Sequence, residues 1–252
     1  NLDTAGTNYP TCTGIWQFKR TGNLYYHIMD WIESFLFANH YAHWTKKHCL
    51  IFAVFQTPLK NNTDVINQTV NSHTLELTKK ADNEEFLSKA RLVGGTALAL
   101  QYGHRISIDL DFFGNIEEDN ETIKEILINI GKLSVIKESK NIKIYILDDI
   151  KIDFAITDII GWILLLKENG IRLALPRDIA AIENKCNRGT GTKKDFIDIY
   201  FLLQHYPLEN ILKFYADKYP DNSQFRALMS LTYFEDAEEQ FMPENACCNR
   251  LG

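Results

Sequence analysis

The sequence predicts an α+β protein, with an α/β part over roughly residues 74–160 and a helical part after it. Three observations carry this. Apolar residues in "RLVGG", "RISIDLDFF" and "KLSVIKESKNIKIYILDDIKIDFAI" form short runs or recur at every second position, as strands require. Between them, "DNETIKEILINIG" repeats Ile123, Ile126, Leu127 and Ile130 at helical spacing. Beyond Pro176 the pattern is helical almost to the end.

Taken in order, "HTLELTKKADNEEFLSKA" (73–90) is predicted as a helix, and "RLVGG" as a short strand running into a turn. "TALALQYG" is predicted as a helix whose first turn follows two glycines, and residues 106–113 as a strand. The next helix takes Asp119 or Asn120 as its cap and stops at Gly131. A β-meander follows, with a turn at Asp148 and Asp149. Helices are then expected in "PRDIAAIENKCNR", "KKDFIDIYFLLQHY" and "PLENILKFYADKY". The expected organisation is an aromatic-rich segment and polar linker over 1–73, an α/β domain over 74–160, a helical domain over 161–240 and a fraying tail over 241–252.

Composition excludes several classes. A chain of 252 residues, 45% hydrophobic and 24% charged, is long enough for a sizeable core and ordinary for a globular protein. A net charge of −6 argues against coating of the whole surface by a polyanion, though a local basic groove is compatible with it. Apolar runs such as "LIFAVF" and "WILLL" fall far short of the ~20 residues of a membrane-spanning helix. Five irregularly spaced cysteines form no disulfide framework, so reduced thiols in a cytoplasmic protein are expected. The chain opens on Asn1 rather than Met, as a fragment or processed product would. The cluster His40, His43, His48 and Cys49 has metal-binding residue types without a standard zinc spacing, and reads as a packed or solvated aromatic segment.

The chemistry concentrates in residues 91–113. In the strand, Ile106, Ile108, Leu110 and Phe112 are expected on one face, and Ser107, Asp109 and Asp111 on the other. Two carboxylates on one face, about 7 Å apart, repel each other, and a hard divalent cation between them removes that cost. In "DIKIDFAI", Lys151 and Asp153 share the polar face, so pairing of that strand beside the first brings Asp153 to the other two. Three such carboxylates suit phosphoryl transfer. Gly94 and Gly95 let backbone approach a phosphate at a helix start, and Thr96 adds a hydroxyl. Arg105 is a further phosphate-binding candidate, while His104 is expected to serve the turn. Lys193 and Lys194 precede a helix and can neutralise triphosphate or RNA charge, and Asp198, one turn in, can orient such a lysine.

The stretch "LVGGTALALQYGHRISIDLDFF", with "GIRLALPRDIAAI" and "GTKKDFIDIYFLL" after it, resembles the AbiEii/AbiGii family of nucleotidyltransferase toxins over about residues 74–220. The resemblance implies a polymerase-β-like nucleotidyltransferase fold, a mixed sheet with flanking helices, followed by a helical C-terminal part. It implies NTP as donor, Mg²⁺ as cofactor, an RNA acceptor (notably tRNA) and a cognate antitoxin in a toxin–antitoxin or phage-abortive-infection pair. On this chain it assigns Gly94, Gly95 and Thr96 to phosphate and Asp109 and Asp111 to metal. Asp153 is expected to complete the metal site or to act as general base. Where the family usually carries a nucleotide-contacting lysine, five residues beyond Asp178, this chain has Glu183, and the nearest lysine is Lys185. Two residues turn a helix by about 200°. Either the helix register differs so that Lys185 reaches the nucleotide, or Lys194 does so, or nucleotide binding is impaired. A catalytically weak relative that binds antitoxin or RNA is the alternative reading.

Overall fold

A computed structural model describes residues 69–157, 166–168, 170–232, 237, 240 and 241, so the aromatic segment, most of the linker and nearly all of the tail lie outside the described residues. Helix α1 (Ser72–Asp82) begins where Asn71 Oδ1 accepts from the Thr74 amide at 2.7 Å. It is shorter than the predicted 73–90 helix. Asp82 turns to Arg172, whose Nε lies 3.3 Å from Asp82 Oδ1, and Glu84 leaves the helix in an extended conformation with ψ 139°. A 3₁₀ turn over Glu85–Leu87 then buries Phe86 and Leu87 before β1 (Ala90–Val93).

Helix α2 (Gly94–Tyr102) follows without a loop and ends at Gly103, whose φ of 64° is the left-handed cap that favours glycine. Strand β2 (Leu110–Gly114) covers only the second half of the predicted 106–113 strand. Ahead of it the expected alternation inverts, with Ser107 buried and Ile108 51% exposed. The cause is local. The Ser107 amide donates to the Thr69 carbonyl at 3.0 Å, and Thr96 Oγ1 donates to the Asp109 carbonyl, so this stretch is bonded to other elements rather than to a neighbouring strand.

Helix α3 (Asn120–Ile130) is capped by Asp119, whose Oδ1 accepts from the Thr122 amide at 2.8 Å, and it ends at Gly131, as predicted. The meander is β3 (Leu133–Glu138), β4 (Ile142–Leu147) and β5 (Ile150–Ile156). Asp148 and Asp149, at φ 48° and 65°, make the tight turn that joins β4 to β5 with the twist a hairpin needs. Two short strands, β6 (Leu166–Glu168) and β7 (Ile171–Leu173), fall where a helical part was expected, and they extend the sheet beyond β1.

The order across the sheet is β3-β4-β5-β2-β1-β7-β6, and it is mixed. β5–β2 and β1–β7 are parallel, and the other neighbours are antiparallel. Leu92, Leu110, Phe112, Tyr145, Ile152 and Phe154 build the sheet's share of the core, which α3 joins through Ile123 and Leu127. The remaining helices are α4 (Pro176–Thr190), α5 (Lys193–Leu203), α6 (Leu208–Lys218) and α7 (Gln224–Ser230). The predicted stripe Phe196, Ile199, Tyr200 and Leu203 is buried, and so is Asp198 between them. That buried carboxylate leads to the site.

Candidate active site

Strand register decides the first relationship. β2 pairs with β5 in parallel with Asp111 opposite Asp153, and β1 places Val93 opposite Asp111 on the other side. Cross-strand partners share a face, so the two carboxylates stand side by side at the end of β1. The Asp111 carboxyl is pushed up to about 7 by burial, then by the Asp153 charge, with Lys151 opposing and Asp109 adding to the rise. Lys151 Nζ sits 2.6 Å from Asp153 Oδ2, while the buried Asp153 Oδ1 has no hydrogen-bond partner among the described residues. Lys194 Nζ sits 2.7 Å from Asp109 Oδ2. Burial pulls the Lys194 ammonium down, but its bond to Asp109 outweighs this and holds it above its ordinary value. Thus each outer carboxylate meets a lysine, and Asp111 lies between them.

The two glycines make room for this arrangement. Gly94 has φ +70°, and a Cβ there would lie 2.8 Å from Asp111 Oδ2. A Cβ on Gly95 would collide with the Arg105 guanidinium and lie 2.7 Å from Asp198 Oδ2. Thr96 is bonded to Ser107 Oγ at 2.8 Å as well as to the Asp109 carbonyl, so its hydroxyl fixes the approach to β2.

Behind the glycines lies a buried charge network. Arg105 donates from Nε and Nη2 to the two oxygens of Asp198, each at 2.6 Å, and from Nη1 to the Ile106 carbonyl at 3.0 Å. His104 Nε2 is 2.6 Å from Asp198 Oδ1. Burial raises the Asp198 carboxyl, but Arg105 and then His104 outweigh it and hold it below its usual range. Asp198 therefore orients an arginine and a histidine, not the lysine expected of it. Arg105, expected on phosphate, is engaged with Asp198. His104 serves Asp198 rather than the turn alone.

Helix α5 thus holds the 104–109 segment at two points, Lys194 on Asp109 and Asp198 on His104 and Arg105. Its start is fixed by the Thr192 amide donating to Asp195 Oδ2 at 2.9 Å.

Glu183, on α4, is buried. Burial raises its carboxyl well above the usual range, Asp198 and Asp195 raise it further, and Arg105 opposes them. At the position where the family usually carries a lysine, burial therefore works against the charged form of the acid. Lys185 lies on the same helix, but its side chain is outside the described residues, as are His40, His43, His48 and Cys49. Among the described residues no three carboxylate, imidazole or thiol groups converge as a ready metal cage. Lys151 is an addition to the expected site; its only sequence signal is the two-residue spacing to Asp153.

Comparison with known proteins meets this geometry at the same residues. The model of the nucleotidyl transferase AbiEii toxin family, a type IV toxin–antitoxin system, matches residues 77–176, which span β1, α2, β2 and β5. An uncharacterised Aquifex aeolicus protein, aq_aa25, is 34% identical over 160 residues, covering 59% of this chain and 75% of its own. This chain belongs to the AbiEii family. The family is one of nucleotidyltransferase enzymes that act as toxins paired with an antitoxin. Among solved structures, JHP933 from Helicobacter pylori aligns with a TM-score of 0.42 at 17% identity, covering 65% of this chain and 90% of that one. MenT4, a nucleotidyltransferase toxin from Mycobacterium tuberculosis, aligns with a TM-score of 0.37 at 14% identity, covering 57% of this chain and 62% of its own. Among the described residues of this AbiEii chain, no helix is long and apolar enough to cross a membrane.

Proposed function

We propose that this chain moves a nucleotide from an NTP to an RNA acceptor, tRNA foremost, in a Mg²⁺-dependent reaction. In this reading it acts in the cytoplasm as the toxin of a toxin–antitoxin or phage-defence pair. The observation that carries the reading is the register of Asp111 against Asp153, beside the Gly94 turn and with Lys194 on Asp109.

The donor set fits the ion. Asp109, Asp111 and Asp153 offer hard oxygens, Mg²⁺ needs only one or two carboxylates with water and phosphate filling its other positions, and Asp153 Oδ1 is an acceptor without a partner among the described residues. When bound, the ion supplies charge neutralisation for the reacting phosphate. The amides that open α2 would meet a phosphate with the positive end of the helix. Lys194 can move from Asp109 to the triphosphate as the carboxylate finds another counter-charge. As the alternative to holding the ion, Asp153 would keep one oxygen on Lys151 and accept the proton of an attacking hydroxyl with the other.

A second reading is favoured by Glu183 alone. A buried acid in place of the expected lysine removes a cation from the nucleotide site, which suits a catalytically weak relative that binds antitoxin or RNA.

One experiment separates the two. The protein is incubated with Mg²⁺, each α-labelled NTP in turn and total tRNA, and the products are resolved on a gel. Label on an RNA band with wild type, absent with Asp111→Asn, supports transfer. Absence of label with all four nucleotides supports the second reading.

A further inference from the structure

The sheet has a face on which the site continues outward. Register places Lys137 opposite Ile144, Ile144 opposite Asp153 and Asp153 opposite Asp111, so one row runs from the edge strand to the carboxylate pair. Strands lie about 4.8 Å apart, which puts Lys137 roughly 10 Å from Asp153. A second row sets Ser134, Ile146 and Lys151 alongside it. Beyond them Ile142 is 43% exposed. In β3–β5 the two faces carry different sets, and the buried Lys143 stands opposite Glu138 on the covered one. Lys137 and Lys151 share the open face with Asp153, while Glu138 turns to the other, where the Tyr145 hydroxyl donates to it at 2.8 Å. The result is an aliphatic floor with a basic outer end and a catalytic inner end.

We infer that this open face of β3–β5 is the track along which a single-stranded RNA acceptor reaches Asp153, with the exposed Lys137 meeting backbone phosphate, Lys151 staying on Asp153, and Ile144 and Ile146 lying under the bases. The inference rests on the transferase reading for the role of Asp153, but the binding surface itself does not need it. A polyanion with flat apolar faces matches both the charge and the floor. An added peptide strand matches poorly, because the register shift between Val135 and Lys137 bulges the edge that such a strand would pair with.

The test uses the full chain and a short 5′-labelled single-stranded RNA with a free 3′ hydroxyl, titrated by fluorescence anisotropy over a range of salt. Ser134→Glu/Lys137→Glu changes two exposed residues, and Lys213→Glu on α6 is the control. The double variant is expected to lose at least about tenfold in affinity, and its log–log salt slope to fall by about 0.7 for each phosphate that is no longer neutralised. The control is expected to bind as wild type does. RNA affinity within twofold of wild type in the double variant, or an equal loss in the control, overturns the proposal. Unchanged RNA affinity together with loss of a co-purifying protein assigns the face to a polypeptide, and also overturns it. Wild-type protein that binds RNA through this face yet binds no NTP by calorimetry sinks the transferase reading and supports the track.

Discussion

Asp111 and Asp153 stand directly opposite each other on the parallel pair β2–β5, with no side chain between them in the register. Two like charges so placed are a standing cost to the metal-free protein, and this makes the pair measurable without any assay of activity.

The first consequence is a pH dependence of stability. In the folded, metal-free chain the Asp111 carboxyl is pushed up to about 7, chiefly by burial and then by Asp153. Unfolded, it titrates near 3.9. Between those values the folded state holds a proton that the unfolded state has released, so stability falls as pH rises from about 4 to about 7. This group contributes on the order of a few kcal/mol across that window. In EDTA, urea midpoints should therefore drop over that range for wild type, and the Asp111 contribution to the drop should vanish in Asp111→Asn. A variant with the wild-type pH profile contradicts the assignment.

The buried fork between Arg105 and Asp198 gives the second prediction. Removing one partner leaves an uncompensated buried charge, so Asp198→Ala should cost about 3–5 kcal/mol. Because Asp198 also holds His104, substitution of His104 and of Asp198 should be non-additive in a double-mutant cycle. Additive losses in urea unfolding would count against a single network.

Gly94→Ala tests the turn. Its positive φ alone costs about 1–2 kcal/mol, and the new methyl presses on Asp111 Oδ2. Transfer activity should fall far more than stability does, because the displaced group is the carboxylate itself. Equal activity at a lowered melting temperature would show that the turn is only structural.

Much of this is legible in the residues themselves. Alternation in "IKIDFAI" puts Asp153 on a polar face, and alternation in "IDLDFF" does the same for Asp111; pairing the two strands completes the site. The pairing itself is not legible, because a parallel neighbour can be any strand of suitable length. Arg105 finds Asp198 from 93 residues away, so no spacing rule proposes it. Alternation alone starts β2 too early, because Thr69 and Thr96 take the hydrogen bonds that a longer strand would have used. β6 and β7, three residues each, are too short to show a period. Glu183 looks like a charge in the sequence because its burial is a property of the packed helices, not of its neighbours along the chain.

Glu183 supplies the fourth prediction. Burial, then Asp198 and Asp195, raise its carboxyl against the opposing Arg105, so Glu183→Gln should change NTP affinity less than about twofold. Glu183→Lys restores a cation among Asp111, Asp195 and Asp198, and should tighten NTP binding by roughly tenfold, about 1.4 kcal/mol. Isothermal titration with NTP and Mg²⁺ measures both. Weakened binding in the lysine variant would place the nucleotide elsewhere.

The most direct test of the carboxylate pair is a titration of Mg²⁺, in the presence of a non-hydrolysable NTP analogue, into wild type, Asp111→Asn and Asp153→Asn near neutral pH. Saturable metal binding in wild type that is lost in Asp111→Asn and weakened in Asp153→Asn is the predicted result. Metal binding of equal strength in all three proteins would contradict the account.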